Sequence, residues 1–263
     1  MEKKNILPRY KMGLGVEQMD RFFLDDIDTH NRRMQYHTKD LRRRLVKAKH
    51  FPMTYLIKEM HGKEEYRAYA RIDSKSQPFK DGIDFDSVIY FNNSKGRCAY
   101  INLDPFKIIG THGLRLGEGN YCGSHRYLFT PHFFERYEMR FGLGGEYGDI
   151  YNQFFFNNLA RDKGAFYTQM CTARPDDYKT IDVWSLCNDG LMLGEVKSEE
   201  DFKSGKPYII QINTFLDLDT LTRRQDRYSN VLKSMKEVFE RMPWIESEED
   251  EKKRTFVTTI SNL

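Results

Sequence analysis

Residues 181–216 contain three β-rich runs in succession, and these runs give the clearest indication of the fold. Residues 181–197 read IDVWSLCNDGLMLGEVK, and YIIQINTFL follows at residues 208–216. Asn188-Asp189-Gly190 is a tight-turn signal between two runs that are rich in apolar residues. With a further strand expected at 166–172, the pattern predicts an antiparallel meander.

Helices are predicted on both sides of this meander. Thr130 is a good helix cap and Pro131 suits the first helical turn, so a helix should run from there to Gly142. A shorter helix is expected around 149–159. After the meander, Asp219 is placed to cap a long final helix.

The N-terminal part should consist of a helical segment followed by two hairpins. Residues 17–49 contain neither Pro nor Gly and space their apolar side chains as a helix does, which predicts one long helix or two short ones. Hairpins are predicted from 53–60 with 65–72, and from 87–92 with 97–103. The glycine-rich residues 107–123 are expected to form a loop, alone or after a short strand.

These elements together predict an α+β fold built as one compact body. We expect an N-terminal helical segment over residues 1–50 and an α+β body over 51–245, with the hairpins at 51–105 and the helices and meander at 106–245. The remaining residues, 246–263, contain an acidic run and are expected to form a flexible tail.

The composition is that of a globular protein kept in a reducing compartment. Of the 263 residues, 39% are hydrophobic and 31% charged, and no apolar run is long enough for a membrane span or a signal peptide. The four cysteines never form Cys-x-x-Cys, and the histidines never form His-x-x-x-His, so neither a zinc site nor a disulfide framework is expected. We therefore expect a cytoplasmic protein that does not enter a membrane.

Positive charge is concentrated in one segment, although the net charge is only +3. Eight basic residues and one acid, Asp40, lie between His30 and His50. The densest part is a candidate phosphate-binding stripe, formed by Arg42, Arg43, Arg44 and Lys47. A solvated helix face is the alternative interpretation of this segment.

The helix predicted after Thr130 carries the first candidate catalytic group. His132, Arg136 and Arg140 are four residues apart and fall on one helix face, opposite an apolar stripe that includes Phe133 and Phe141. A histidine can move a proton near neutral pH, and arginines can neutralise phosphate oxygens. The pattern therefore points to phosphodiester chemistry, with a solvated basic face as the alternative.

In its order of elements, the region from about residue 129 to 225 resembles the small RelE-type and BrnT-type ribonuclease toxins. The resemblance rests on the His-x-x-x-Arg-x-x-x-Arg helix, the second helix, the meander ending in IIQINTFL and the closing helix. Those toxins cut RNA without a metal ion. The resemblance implies that His132, Arg136 and Arg140 lie at an active face and that no cofactor is needed.

A second resemblance competes with the first. Asp182 together with Gly194-Glu195-Val196-Lys197 is similar to the Asp and Glu-x-Lys pair of PD-(D/E)xK nucleases. The resemblance implies that Asp182 and Glu195 bind Mg²⁺ and that Lys197 holds the attacking water. Because another strand is predicted soon after Lys197, where that family has a helix, the metal-independent interpretation is favoured.

The sequence thus predicts a nuclease that acts on RNA more readily than on DNA. A non-enzymatic protein that binds nucleic acid or a protein partner through the basic segment is the alternative from another class. A metal-dependent nuclease is the second alternative. A cleft beside His132 would favour catalysis, whereas a flat surface there would favour binding.

Overall fold

The computed structural model describes residues 9–75, 85–103, 108–112, 125–143, 147–160, 166–171, 181–196 and 208–222, and seven residues between 225 and 237. Within residues 27–36 the structure describes the backbone alone. The predicted tail over 246–263 lies outside the described residues.

The predicted helices are present, and the 17–49 region forms one continuous helix. Helix α1 spans Val16–Lys47, α2 spans Pro131–Phe141 and α3 spans Ile150–Asn158. The seven described residues between 225 and 237 are also helical, and we refer to them as α4. No described helix is long and apolar enough to cross a membrane.

The predicted cap of the last helix is wrong by three residues. Asp219 lies in a short 3-10 turn, Leu218–Thr220. The cap is Thr222, whose hydroxyl oxygen accepts a hydrogen bond from the backbone N–H of Gln225, while the Gln225 side-chain oxygen accepts from the Thr222 N–H. This reciprocal pair is a capping box, and it supplies partners that Asp219 cannot supply from within the preceding turn.

Ten strands in the described part of the chain form one mixed sheet. In chain order they are β1 (Met53–His61), β2 (Glu64–Ile72), β3 (Asp86–Asn93), β4 (Gly96–Leu103), β5 (Ile108–His112), β6 (His125–Phe129), β7 (Phe166–Cys171), β8 (Ile181–Leu186), β9 (Leu191–Val196) and β10 (Ile209–Leu216). Their order across the sheet is β1-β2-β3-β4-β6-β10-β9-β8-β7-β5. The α+β fold, both hairpins and the antiparallel meander β7–β10 are confirmed.

Strand β6 joins the hairpins to the meander, and the sequence did not predict it. It pairs antiparallel with β4 and parallel with β10, so it lies at the centre of the sheet. Strand β5 likewise pairs parallel with β7 at the far edge. These two parallel pairs make the sheet mixed.

The two faces of the sheet are covered by different helices. Helices α2 and α3 pack on one face through a cluster of aromatic rings, in which Phe129, Phe133 and Phe154 lie 5.0–5.4 Å apart between ring centroids. Helix α1 covers the opposite face of the hairpin half through residues such as Phe23 and Leu45.

Candidate functional site

The cap and the apolar stripe of α2 fix which of its side chains face solvent. The Thr130 hydroxyl oxygen accepts a hydrogen bond from the Phe133 N–H, and Pro131 occupies the first turn, as predicted. Phe133, Phe134 and Tyr137 are buried against the sheet and α3. The opposite stripe, with His132 and Arg136, is therefore exposed. Phe141, which was expected in the apolar stripe, is 43% exposed because it lies at the helix end.

His132 has one partner on each side of its ring. Its Nδ1 is 3.2 Å from Glu135 Oε2, and Arg136 Nε donates to its Nε2 at 3.5 Å. Because a guanidinium can only donate, the hydrogen bond from Arg136 occupies the lone pair of Nε2 and directs Nδ1–H to the carboxylate. Nε2 becomes available as a proton acceptor when Arg136 turns away from the ring.

The structure does not bring Arg140 to the same place. Arg140 Nη1 lies 3.2 Å from Asp217 Oδ2, next to the end of β10. It is eight residues from His132, or about 12 Å along a helix. Of the three predicted catalytic residues, His132 and Arg136 are in contact, whereas Arg140 lies two helical turns from His132 and is paired with Asp217.

A cleft of about 650 Å³ opens beside His132. The first turn of α2 forms one wall and the β3–β4 turn forms the other, while β10 and the segment before α1 contribute the rest. The lining residues are Met12, Asn93, Ser94, Lys95, Thr130, Pro131, His132, Glu135, Gln211 and Asn213. Clefts of this size accommodate small ligands or one unit of a polymer.

A short chain of polar side chains runs from the cleft along β10 to β9. Gln211 Nε2 donates to Asn213 Oδ1 at 2.7 Å, and Asn213 Nδ2 donates to Glu195 Oε1 at 3.4 Å. We refer to Gln211, Asn213 and Glu195 as the amide relay. Asn213 is the extra residue of a β-bulge between Ile212 and Thr214. Bulges redirect side chains and are frequent next to active sites.

Gly194 allows the backbones of β9 and β10 to lie close together. A Cβ added to Gly194 would lie 2.2 Å from the carbonyl oxygen of Gln211, which is far inside van der Waals contact. Only glycine therefore permits this approach of β9 to β10. The Gly-Glu sequence of β9 thus has a structural role in addition to supplying Glu195.

The second predicted constellation is partly assembled. Asp182 on β8 and Glu195 on β9 are direct cross-strand partners, so both side chains are on one face of the sheet. Both are half-buried. Lys197 lies outside the described residues. Among the residues that the structure describes, no group of three or more His, Cys, Asp or Glu side chains is arranged to hold a metal ion.

The basic stripe lies at the C-terminal end of α1, whereas the cleft lies near the N-terminal end of this helix. Arg42, Arg43 and Lys47 are exposed, and none of them contacts a carboxylate among the described residues. Arg44 differs, because its Nε is 2.9 Å from Asp40 and its guanidinium lies over the Tyr55 ring.

The two predicted sites are therefore far apart. Met12, in the cleft, is followed at residue 16 by the start of α1, and Arg42 is 26 residues further along the helix. At 1.5 Å per residue this separation is about 40 Å. A single nucleotide cannot reach from one site to the other.

Sequence reasoning missed most of the residues that complete the cleft. Lys95 was recognised as part of a turn, and Gln211 and Asn213 as part of a strand. The one available signal was Asn213, because Asn is depleted in strands and stands here within an apolar run. No family model matches the chain, and no match is found among the curated proteins or the solved structures.

Proposed function

We propose that this protein is a metal-independent ribonuclease whose active site is the cleft beside His132. The observation that carries the proposal is the position of His132. It is 55% exposed at the cleft, and Nε2 faces a cation while Nδ1 faces a carboxylate. A surface histidine without a cleft would have favoured a binding role.

The proposed reaction uses the 2′-hydroxyl of RNA as the nucleophile. As Arg136 turns from the ring to the phosphate, His132 Nε2 takes the proton of this hydroxyl, and the 2′-oxygen forms a bond to the adjacent phosphorus. The bond from phosphorus to the 5′-oxygen of the next nucleotide breaks, and this oxygen takes a proton from solvent and leaves as a 5′-hydroxyl. Glu135 stabilises the imidazolium that forms. Arg136, which contacts His132, and Lys95, which lines the cleft, supply positive charge for the phosphorane oxygens.

The remaining basic residues are assigned to binding rather than to chemistry. Arg140, one turn beyond Arg136, would meet a phosphate farther along the strand after exchanging its contact with Asp217. Arg42, Arg43 and Lys47, about 40 Å away along α1, would bind distant phosphates of a long RNA. An RNA substrate fits the expected cytoplasmic location, and the resemblance to RelE-type and BrnT-type toxins supports the same chemistry.

A labelled oligoribonucleotide tests this function directly. We expect cutting of RNA to persist in EDTA, while DNA and 2′-O-methyl RNA of the same sequence stay intact because they lack the nucleophile. Cutting of DNA that needs Mg²⁺ would instead support a site made of Asp182, Glu195 and Lys197. Binding of RNA without any cutting would support the non-enzymatic alternative.

A further inference from the structure

The β3–β4 turn is held from within by the side chain of Asn93. Asn93 ends β3 and pairs with Gly96, so the turn itself consists of Ser94 and Lys95. The Oδ1 atom of Asn93 accepts a hydrogen bond from the backbone N–H of Lys95 at 2.8 Å, as in an Asx turn. Lys95, which lines the cleft, therefore extends from a backbone that is fixed by a hydrogen bond.

The other end of the Asn93 amide is also bonded. Asn93 Nδ2 donates to Cys98 Sγ at 3.2 Å, and the Cys98 thiol donates to Met12 Sδ at 3.8 Å. Burial raises the pKa of Cys98 to about 12, so the thiol keeps its proton and remains a donor at neutral pH. The Asn93 amide is thus held at both ends, and it cannot turn over, because the N–H of Lys95 needs an acceptor.

Gly96 brings this turn against the first turn of α2. A Cβ added to Gly96 would lie 3.2 Å from Pro131 Cβ, which is tighter than ordinary van der Waals contact. Gly96 also has a φ of 134°, a value that residues with a side chain rarely adopt. The two walls of the cleft therefore meet at Gly96 and Pro131, and their close approach depends on glycine.

Lys95 and His132 are the sequence neighbours of these two residues, and both line the cleft. The contact between Gly96 and Pro131 therefore fixes the spacing of the two backbones from which the ammonium and the imidazole extend. A phosphate group needs cations beside its oxygens, and a base must reach the proton that it takes. One phosphodiester unit between the two side chains would meet both requirements.

We propose that Lys95 and His132 hold one phosphate group between them and that Gly96 is the positioning residue that sets their separation. Asn93 is a second positioning residue, because it orients the turn that carries Lys95. This inference rests on the proposed function, which takes a phosphodiester as the ligand of the cleft. It adds the residues that set the width of the site, which the assignment of His132 as the base does not give.

A titration with inorganic phosphate tests the binding part without requiring cleavage. NMR signals of the His132 ring, assigned with His132→Gln, follow the titration at constant pH and ionic strength. We expect Lys95→Met to weaken phosphate binding about tenfold, because a charge-assisted contact is lost. Lys63→Met is the matched control, since Lys63 is the exposed lysine in the two-residue turn between β1 and β2, and it should leave the affinity unchanged.

Enzyme kinetics test the positioning part. An alanine side chain at residue 96 should displace the turn by a few tenths of an ångström, so we expect Gly96→Ala to lower kcat for RNA cutting about tenfold. The KM for a long RNA should stay within about twofold, because the phosphate contacts proposed along α1 are unchanged. Gly62→Ala, at a φ of 70° in the β1–β2 turn, adds backbone strain outside the cleft and should change neither constant. If Gly96→Ala does not fold, Asn93→Ala frees the turn without adding a side chain and should lower kcat in the same way.

Three results would overturn the inference. They are His132 signals that phosphate does not change, equal phosphate affinities of the wild type and Lys95→Met, and equal kcat values of Gly96→Ala and Gly62→Ala. RNA cutting that proceeds normally in both Lys95→Met and Gly96→Ala would contradict this inference alone. Phosphate binding that depends on Lys95, without any RNA cutting, would contradict the proposed function alone.

Discussion

His132 and its two contacts on the same helix, Glu135 and Arg136, are the smallest group of residues on which the proposed function depends. Arg136 Nε touches His132 Nε2 and has no carboxylate partner among the described residues, so its charge is available to a phosphate. Arg140 lies on the same exposed stripe of the helix, but its charge is neutralised by Asp217. Arg136 and Arg140 therefore form a matched pair for mutation.

Arg136→Ala is expected to abolish RNA cutting, while Arg140→Ala is expected to weaken it about tenfold or less. Both side chains are exposed, so each variant should keep its thermal midpoint within about 3 °C of the wild type. Initial rates on one oligoribonucleotide and thermal melts of both variants check this. Equal losses of activity would show that the separation of Arg140 from the cleft has no consequence.

At the scale of elements, the buried stripe of α2 holds the site in place. The Phe133 ring packs against Phe129, Phe154 and Phe215, whereas Phe141 on the same helix is 43% exposed. Phe133→Ala should therefore lower the free energy of unfolding by about 3–5 kcal/mol. Phe141→Ala should cost about 1 kcal/mol. Urea denaturation measures both, and similar costs would contradict this assignment of the core stripe.

The elements themselves were largely predictable from local pattern. The Thr130-Pro131 cap and the Asn188-Asp189-Gly190 turn are local signals that act within a few residues, and the structure contains both. Strand β6 was missed because HRYLF is short and follows a glycine-rich stretch, so its conformation depends on partners that are distant in sequence.

The site was less predictable than the elements for the same reason. Of the residues that line the cleft, the motif supplied only His132, whereas Lys95 and Asn213 reach the cleft through strand pairing across β4, β6 and β10. In the sequence, Glu195 was a metal ligand only in the alternative interpretation, which rested on its resemblance to the Glu-x-Lys motif. Its contact with Asn213 instead arises from a bulge that no sequence pattern indicated.

At the scale of the whole molecule, the proposed function places RNA binding and RNA cutting at opposite ends of α1. Replacing Arg42, Arg43 and Lys47 together by Gln should reduce the salt slope of binding to a long single-stranded RNA by about 2, given about 0.7 per phosphate contact. A pentanucleotide cannot span about 40 Å, so its cutting should not change. Filter binding at several salt concentrations and a cleavage assay measure the two effects. An unaltered slope would contradict a phosphate-binding role.

The density of buried tyrosines should make the whole fold sensitive to alkali. Burial raises the pKa of Tyr127 to about 12 from its usual 10.0, although hydrogen bonds to Thr168 and Ser185 oppose the shift. The unfolded chain therefore ionises first. The stabilising contribution of Tyr127 is complete below pH 10 and should be lost by about pH 12, at a cost of about 2–3 kcal/mol. Urea unfolding at pH 9 and pH 11 should show a steeper fall for the wild type than for Tyr127→Phe, and equal falls would contradict this.

The chemistry of the cut ends distinguishes the proposed reaction from metal-dependent hydrolysis. We would incubate a short RNA in EDTA with the wild type and with His132→Gln, and analyse the products by mass spectrometry. The proposed reaction should give 2′,3′-cyclic phosphate and 5′-hydroxyl ends with the wild type and no cutting by His132→Gln. Cutting that requires Mg²⁺, leaves 5′-phosphate ends and survives in His132→Gln would contradict it.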